Sequence, residues 1–404
     1  FLTAGSVDDG KSTLIGRLLY DTRSVLADQL AAVARTSARR GTELDLSLFT
    51  DGLAAEREQG ITIDVAYRYF ATAARKFIVA DAPGHVQYTR NMVTAASTAH
   101  LAVLLVDARN GVVEQTRRHA ALVRLVGVPH VVVAVNKMDL VDYRQEVFDA
   151  VVADFRALAQ GVGLTQARFV PIAAAPGDMV VERGERLGWY TGPTLLRILE
   201  SVEIPHAAPR GGLRFPVQYV ALPAGGRPRG YLGRIEAGRV AVGDPIVVLP
   251  GGRATHVRAI HTFDGEIAAA DVGASVRLEL ADEIDVSRGD LFVHPDGAPA
   301  LARTLVADVA WLGSVPLDAR RTYALRHATR EIRARITGVH DRFDVHAQAR
   351  QRASGTLAMN DIGRVSIALA QPLGLDRYDD NRATGSFILV DEASHDTVAA
   401  GMIR

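Results

Sequence analysis

The chain contains no cysteine, almost no lysine and no net charge. Without cysteine there are no disulfides, thiolate metal sites or thiol nucleophiles, and a reducing compartment suits such a chain. The 46 basic and 46 acidic residues cancel, so no global field favours nucleic acid or a membrane surface as partner. The longest apolar runs, Leu101 to Val106 and Val131 to Val135, have the length of strands and fall far short of a bilayer span. No signal peptide is visible, and a cytoplasmic location is the expectation. The sequence opens within a strand and without an initiator methionine, as a trimmed chain does. Of the 46 basic residues only Lys11, Lys76 and Lys137 are lysine, so a compact ammonium has been kept at very few places. With 404 residues, 48% of them hydrophobic, the chain is long enough for two or three cored domains.

Lys11 stands in Gly5-Ser6-Val7-Asp8-Asp9-Gly10-Lys11-Ser12, which fits the GxxxxGK(S/T) pattern of a phosphate-binding loop. Phe1 to Ala4 reads as the end of an apolar strand, and Ser12 to Leu19 begins a helix with leucines on one face. The loop therefore has the strand-loop-helix context it needs. Its glycines let the backbone wrap closely around phosphate, and successive N–H groups up to Thr13, with a helix N-terminus behind them, supply partial positive charge. Lys11 is expected to reach the β and γ phosphates, and the Ser12 hydroxyl to ligate Mg²⁺.

A polar, arginine-rich stretch from Asp21 to Gly60 follows, in which Ser24 to Leu30 and Thr50 to Arg57 read as short helices. It is longer than a connection requires, which marks a mobile functional loop. It ends at Gly60-Ile61-Thr62-Ile63, where Thr62 is the candidate that senses γ-phosphate and joins Ser12 and Asp81 on the metal. Lys76 to Ala80 reads as a strand running into Asp81-Ala82-Pro83-Gly84-His85, a carboxylate at a strand's C-terminal end followed by a turn. Asp81 can hold Mg²⁺ through water, and Gly84 can offer its N–H to a γ-phosphate. The second buried run leads into Asn136-Lys137-Met138-Asp139. Asp139 can accept hydrogen bonds from the N1–H and exocyclic amine of guanine, a pair that adenine lacks, with Lys137 over the base.

Phosphate loop, switch threonine, DxxG and NKxD in this order and spacing resemble the translation-factor class of GTPases. The resemblance implies GTP as ligand, His85 as the residue that orients the attacking water with Lys11 neutralising charge, and a guanine contact from the loop after the strand Arg168 to Ile172. That loop reads Ala173-Ala174-Ala175, and since the contact is a backbone N–H, Ala174 can serve. A closer resemblance is to the large, GTP-binding subunits of bacterial sulfate adenylyltransferases. It rests on Gly5 to Asp21, with its SVDDGKS loop, on Asp51 to Phe70, on His85 to Met92 and on Asp379 to Asp391. This family implies hydrolysis of GTP coupled to formation of adenosine 5′-phosphosulfate by a small ATP-binding catalytic subunit. In some relatives an adenylylsulfate kinase domain follows, here beyond Arg404. The chain departs from the family at Ala82, Val86 and Ala173, where Thr, Glu and Ser are usual; these bear on hydrolysis rate and partner contact.

The expected architecture is an α/β P-loop GTPase domain with a mostly parallel sheet over 1–203, a Pro- and Gly-rich linker at 204–212, and two β-barrel domains over 213–302 and 303–404. Trp189 to Leu199 reads as the last helix of the first domain, with Pro193 near its first turn. Short alternating strands broken by Gly and Pro fill the rest, and Arg288-Gly289-Asp290 reads as the turn leading into one of them. Arg326, His327, Arg330, Arg333 and Arg335 form a local basic cluster, read as a solvated sheet face or a contact for a partner or phosphate. The alternative function is an elongation factor delivering aminoacyl-tRNA, which salt-sensitive RNA binding would distinguish.

Overall fold

The computed structural model describes residues 1–39, 44–49, 64–164, 166–204, 211–223, 228–352 and 355–404. Two compact units emerge, Phe1–Ile204 with Asp344–Ala349, and Pro205–Phe343 with Arg350–Arg404. Thr62 and the expected helix at Thr50 to Arg57 lie outside the described residues.

The first unit is built on a six-stranded sheet of β1 (Leu2–Ala4), β2 (Ala66–Ala71), β3 (Lys76–Asp81), β4 (Leu101–Asp107), β5 (His130–Asn136) and β6 (Ala167–Pro171). The order is β2-β3-β1-β4-β5-β6, all parallel except β2, which runs antiparallel to β3. All seven residues of β4 are buried, as are six of seven in β5, which is why these strands read as unbroken apolar runs rather than alternating ones. Parallel register brings their carboxyl ends to one edge, with Thr3 opposite Asp81 and Asp107 opposite Asn136. The phosphate loop, the Asp81-to-His85 turn, the Asn136-Lys137-Asp139 segment and the Ala173-to-Ala175 loop all follow from that edge.

Among the described residues the α-helices are α1 (Lys11–Asp21), α2 (Ala27–Arg39), α3 (Thr89–Thr98), α4 (Glu114–Val126), α5 (Gln145–Val162) and α6 (Leu195–Ser201). Helix α1 buries Leu14, Ile15, Leu18 and Leu19, the face its leucines announce. Helix α2 starts later than expected and runs on to Arg39. The last helix corrects the expectation more sharply, since it spans only seven residues and Trp189 to Pro193 precede it. Trp189 Nε1 donates to Tyr143 O (2.8 Å) and the Tyr190 hydroxyl to Phe169 O (3.0 Å), bonds that anchor both aromatics outside the helix. The helix then starts behind Thr194, whose hydroxyl accepts from Arg197 N (3.4 Å).

The second unit holds two antiparallel barrels. In the first, Phe215–Pro216 pairs with Leu291–Val293 while Tyr219–Ala221 pairs with Gly230–Arg234. Between these two halves of one segment, Val217 N donates to Asp290 O (2.8 Å) and Gln218 N to Leu232 O (2.8 Å), so the sheet closes on itself. Its core includes Phe215, Tyr231 and Phe292. In the second barrel the path from Tyr323–His327 through Ser386–Asp391, Thr397–Ile403, Leu301–Trp311 and Ile362–Gly374 to Arg330–Asp344 returns to its first strand. Trp311, Tyr323 and Phe387 lie in that core. The strand from Arg330 outruns its sequence signal because nothing beyond Thr337 is buried. Thr397–Ile403 gives little signal because small residues are required there: a Cβ on Gly401 would enter the Phe387 ring.

The basic cluster is neither a bare solvated face nor a set of free charges. His327 is buried with its Nε2 2.7 Å from Thr384 O, Arg326 pairs with Glu331, Arg333 with Glu392, Arg330 with Asp290, and Arg335 donates to Ala319 O. Between the barrels, buried Arg214 forms a two-pronged pair with Asp376, both bonds 2.8 Å, and also donates to Leu213 O and Gly297 O. Removing one member of a buried pair strands the other, so Arg214→Met should destabilise the chain by about 3 kcal/mol. Urea denaturation would check this, with Arg320→Ala, at an exposed pair, leaving the midpoint in place.

Candidate functional site

The loop after β1 is shaped by its own side chains. Ser6 N donates to the Asp9 carboxylate (2.5 Å), and Asp9 N donates to Ser6 O (3.3 Å). Gly10 has φ 91, and a Cβ there would collide with Asn136 Nδ2. Only glycine meets both conditions. Asp9 is buried, and burial pushes its carboxyl up despite the nearby charge of Lys11. Val7 and Asp8 are exposed at the tip, while Ser12 and Thr13 open α1 half-buried.

Lys11 is buried and donates to Gly5 O (3.0 Å) and Ser6 O (2.8 Å), which curls its ammonium back beneath the loop. Burial lowers its pKa, and the carboxylates of Asp81, Asp9 and Asp8 oppose that. Asp81, 2% exposed at the end of β3, takes a 3.4 Å bond from the Thr3 hydroxyl. Gly84 approaches so closely that a Cβ would strike Lys11 Nζ and lie 2.9 Å from Gly5 O. The DxxG turn and the phosphate loop therefore share one small space. His85 follows with a buried Nδ1 that has no partner among the described residues, its ring edge-on to Tyr88 at 6.3 Å.

Asn136 ties three loops together. Its Nδ2 donates to Asp9 O (2.8 Å) and its Oδ1 accepts from Ala174 N (3.0 Å). Lys137, held at φ 62, donates to Asp8 O and pairs with Asp107 at 3.0 Å. Asp139 lies half-buried in the single turn Met138–Val141 beyond it. Ala174 is 2% exposed, and its carbonyl accepts from Arg17 Nε (3.2 Å) while Ala175 O accepts from Arg17 Nη2. The structure thus gathers the phosphate loop, Asp81, Gly84, His85, Asn136, Lys137, Asp139 and Ala174 at one sheet edge. Thr62 alone of the expected residues is outside the described ones.

Sequence reasoning missed Asp107 and Arg17. Burial works against the charge of Asp107, yet bonds from the Arg109 side chain and backbone and from Lys137 outweigh it and hold the carboxyl at about 2. Its signal was an acidic residue closing an apolar strand, the same signal that singled out Asp81. Arg17 looks like any solvent-facing arginine of α1, and only the fold shows what it holds.

His119, on the inner face of α4, is a second surprise. Arg118 Nη1 donates to Gln115 Oε1 (3.1 Å), which leaves Gln115 Nε2 to donate to His119 Nε2 (2.9 Å). The histidine proton is then on Nδ1, buried and without a partner among the described residues. Burial, with the charges of Lys11 and Arg118 added, pushes its pKa down to about 3.

The family model described as the elongation factor Tu GTP binding domain matches residues 1–204, and that of the GTP-eEF1A C-terminal domain matches residues 304–404. Among curated proteins the chain is 50% identical, over its whole length, to the bifunctional enzyme NodQ of Rhizobium meliloti, of which it spans 63%. It is also 50% identical over its whole length to sulfate adenylyltransferase subunit 1 of Laribacter hongkongensis and of Yersinia enterocolitica, covering 84% and 85% of them. Crystal structures of sup35 complexed with GDP and with GMPPNP align over all of this chain and 92% of theirs, at 24% and 26% identity and TM-scores of 0.45 and 0.44. No helix among the described residues is long and apolar enough to cross a membrane.

Because the folded state refuses a proton at His119 that the unfolded chain accepts near pH 6.5, stability should fall as pH drops from about 6.5 towards 3, by up to about 1.4 kcal/mol per unit. His327, also lowered by burial, acts in the same direction. His119→Gln should therefore flatten, without abolishing, the loss of unfolding free energy between about pH 6 and pH 4.5, read from urea titrations. The GTP-binding domain and the full-length match together settle kinship: the chain belongs to the sulfate adenylyltransferase subunit 1 family.

Proposed function

We propose that this chain binds GTP·Mg²⁺, hydrolyses it, and uses the change to drive a small catalytic subunit that forms adenosine 5′-phosphosulfate from ATP and sulfate. The observation that carries this reading is the convergence of the phosphate loop, the Asp81-to-His85 turn and the Asn136-Lys137-Asp139 segment at one sheet edge, in a chain of this family. The architecture alone would also suit a tRNA-delivering elongation factor, and family membership favours the sulfate reading.

In this reading Asp139 accepts the two guanine donors, Lys137 covers the base, and the Ala174 N–H, already oriented by Asn136, lies beside it. Lys11 swings from the Gly5 and Ser6 carbonyls onto the β and γ phosphates, and the N–H groups from Asp8 to Thr13 cradle them. The oxygen donors at Ser12, Asp81 and Thr62 suit a hard divalent ion that keeps most of its water and binds substrate phosphates, which requires no dense carboxylate cluster. Mg²⁺ held there would neutralise phosphate charge. Gly84, already against Lys11, offers its N–H to the γ-phosphate, and loss of that contact on hydrolysis releases the turn. His85, with an unpartnered Nδ1 and a ring steered by Tyr88, orients the attacking water. NodQ, a bifunctional enzyme longer than this chain, fits the expectation that a kinase domain follows in some members.

GTP turnover by the purified chain, with and without the small subunit plus ATP and sulfate, tests the proposal. Turnover should rise only with the partner, and His85→Ala should lower it by about 100-fold or more while nucleotide binding persists. Equal turnover with and without the partner would remove the coupling, and an unimpaired His85→Ala would remove the histidine from the mechanism.

A further inference from the structure

The two barrels enclose a cleft of about 460 Å³, whose walls carry Arg253, Arg288 and Arg330 together with Asp285, Asp290 and Glu331. Three cations against three carboxylates suggest neutrality, but the carboxylates are not equally free. Asp290 is taken by Arg330 (3.0 Å) and by Ser287 N (2.8 Å), and Glu331 by Arg326 (2.6 Å). Arg253 and Arg288 meet no carboxylate within 4.0 Å among the described residues. Only Asp285 opposes them. The cleft therefore has two uncommitted guanidinium groups and one uncommitted carboxylate.

Both arginines are placed there by turns. Arg253 opens the strand Arg253–Thr262 directly after Gly251-Gly252, where Gly252 N donates to Val248 O (2.7 Å). Arg288 sits in the turn closed by Asp290 N donating to Ser287 O (3.1 Å). The next residue, Gly289, packs so tightly on the second barrel that a Cβ would lie 3.1 Å from Arg330 Cα. The turn thus cannot drift from the strand beside it. Arg330 completes the set with an unfilled donor: Nη1 bonds Asp290 and Nη2 bonds Gln371 Oε1 (2.9 Å), but its buried Nε has no acceptor among the described residues.

We propose that this cleft is a binding site for tetrahedral oxyanions, with Arg253 and Arg288 as the charged prongs and Arg330 in the facing wall. Guanidinium forks match the paired oxygens of phosphate and sulfate groups, and an ammonium would not orient them. The volume admits pyrophosphate or the phosphate tail of a nucleotide as well as a single sulfate or phosphate. Because the site draws its residues from both barrels, an occupant joins them and raises the stability of that unit.

The test uses the chain saturated with GDP, so that the phosphate loop is filled and its failure is seen separately from failure of the cleft. Pyrophosphate, sulfate and ADP are titrated calorimetrically at low ionic strength, with melting followed in parallel. Pyrophosphate or sulfate binding with a raised melting temperature identifies a free inorganic anion as ligand, and tighter binding of ADP identifies a nucleotide tail. Whichever binds, the double variant Arg253→Ala/Arg288→Ala should weaken it at least 10-fold and abolish the thermal shift, while its melting temperature without anion stays that of the parent. Arg320→Ala should bind as the parent does. No saturable binding of any of the three probes, or equal binding by the double variant, overturns the proposal.

Discussion

One side-chain amide holds the nucleotide end of this molecule together. Asn136 donates to Asp9 O and accepts from Ala174 N, so a single residue at the end of β5 fixes the loop after β1 to the loop after β6. Both bonds are buried, where an unpaired backbone group is costly, and the amide satisfies a carbonyl and an N–H that no strand could reach. The parallel sheet makes this economy available. Strands that run the same way deliver their loops to the same edge, and strand order then decides which loops become neighbours.

Charge at that edge is arranged by burial rather than by number. Asp107, below solvent, anchors Lys137, and Asp81 and Asp9 stand around Lys11. These lysines are two of only three in the chain, and both donate to backbone carbonyls of the phosphate loop. A flexible ammonium can leave a carbonyl for a phosphate oxygen, whereas an arginine fork would be harder to release. Arginine is used where a rigid fork is wanted: Arg17 under the Ala174-Ala175 carbonyls, Arg214 across the barrels, and three arginines, Arg350, Arg364 and Arg404, converging on buried Asp308.

Much of this was legible in the sequence where one signal dominated. The runs in β4 and β5 are buried on both faces and could not be mistaken, and the spacing of Lys11, Asp81, Gly84, Asn136 and Asp139 puts these residues at or just beyond strand ends. Legibility failed where two demands competed. Trp189 and Tyr190 have the apolar look of a helix face, but their polar atoms are taken by Tyr143 O and Phe169 O. Thr397–Ile403 is a central strand disguised by alanine and glycine, which leave room for Phe387. Arg17 and His119 carry no local pattern, because what matters for each, the Ala174-Ala175 carbonyls and the burial of the inner face of α4, comes from other elements. The second role of Asn136, as a clamp between loops, was hidden for the same reason behind its better known place in a motif.

The central claim is that this clamp, more than any single contact to nucleotide, keeps the site assembled. It is tested most directly by the affinity of a fluorescent guanosine diphosphate for the parent chain and for Asn136→Ala. If the two bonds hold the loops, affinity falls by about 100-fold, the equivalent of two buried hydrogen bonds at about 1.4 kcal/mol each, and the unfolding midpoint falls as well because Asp9 O and Ala174 N lose their partner. Parental affinity in the variant would show that the loops hold their places without Asn136 and would contradict the account.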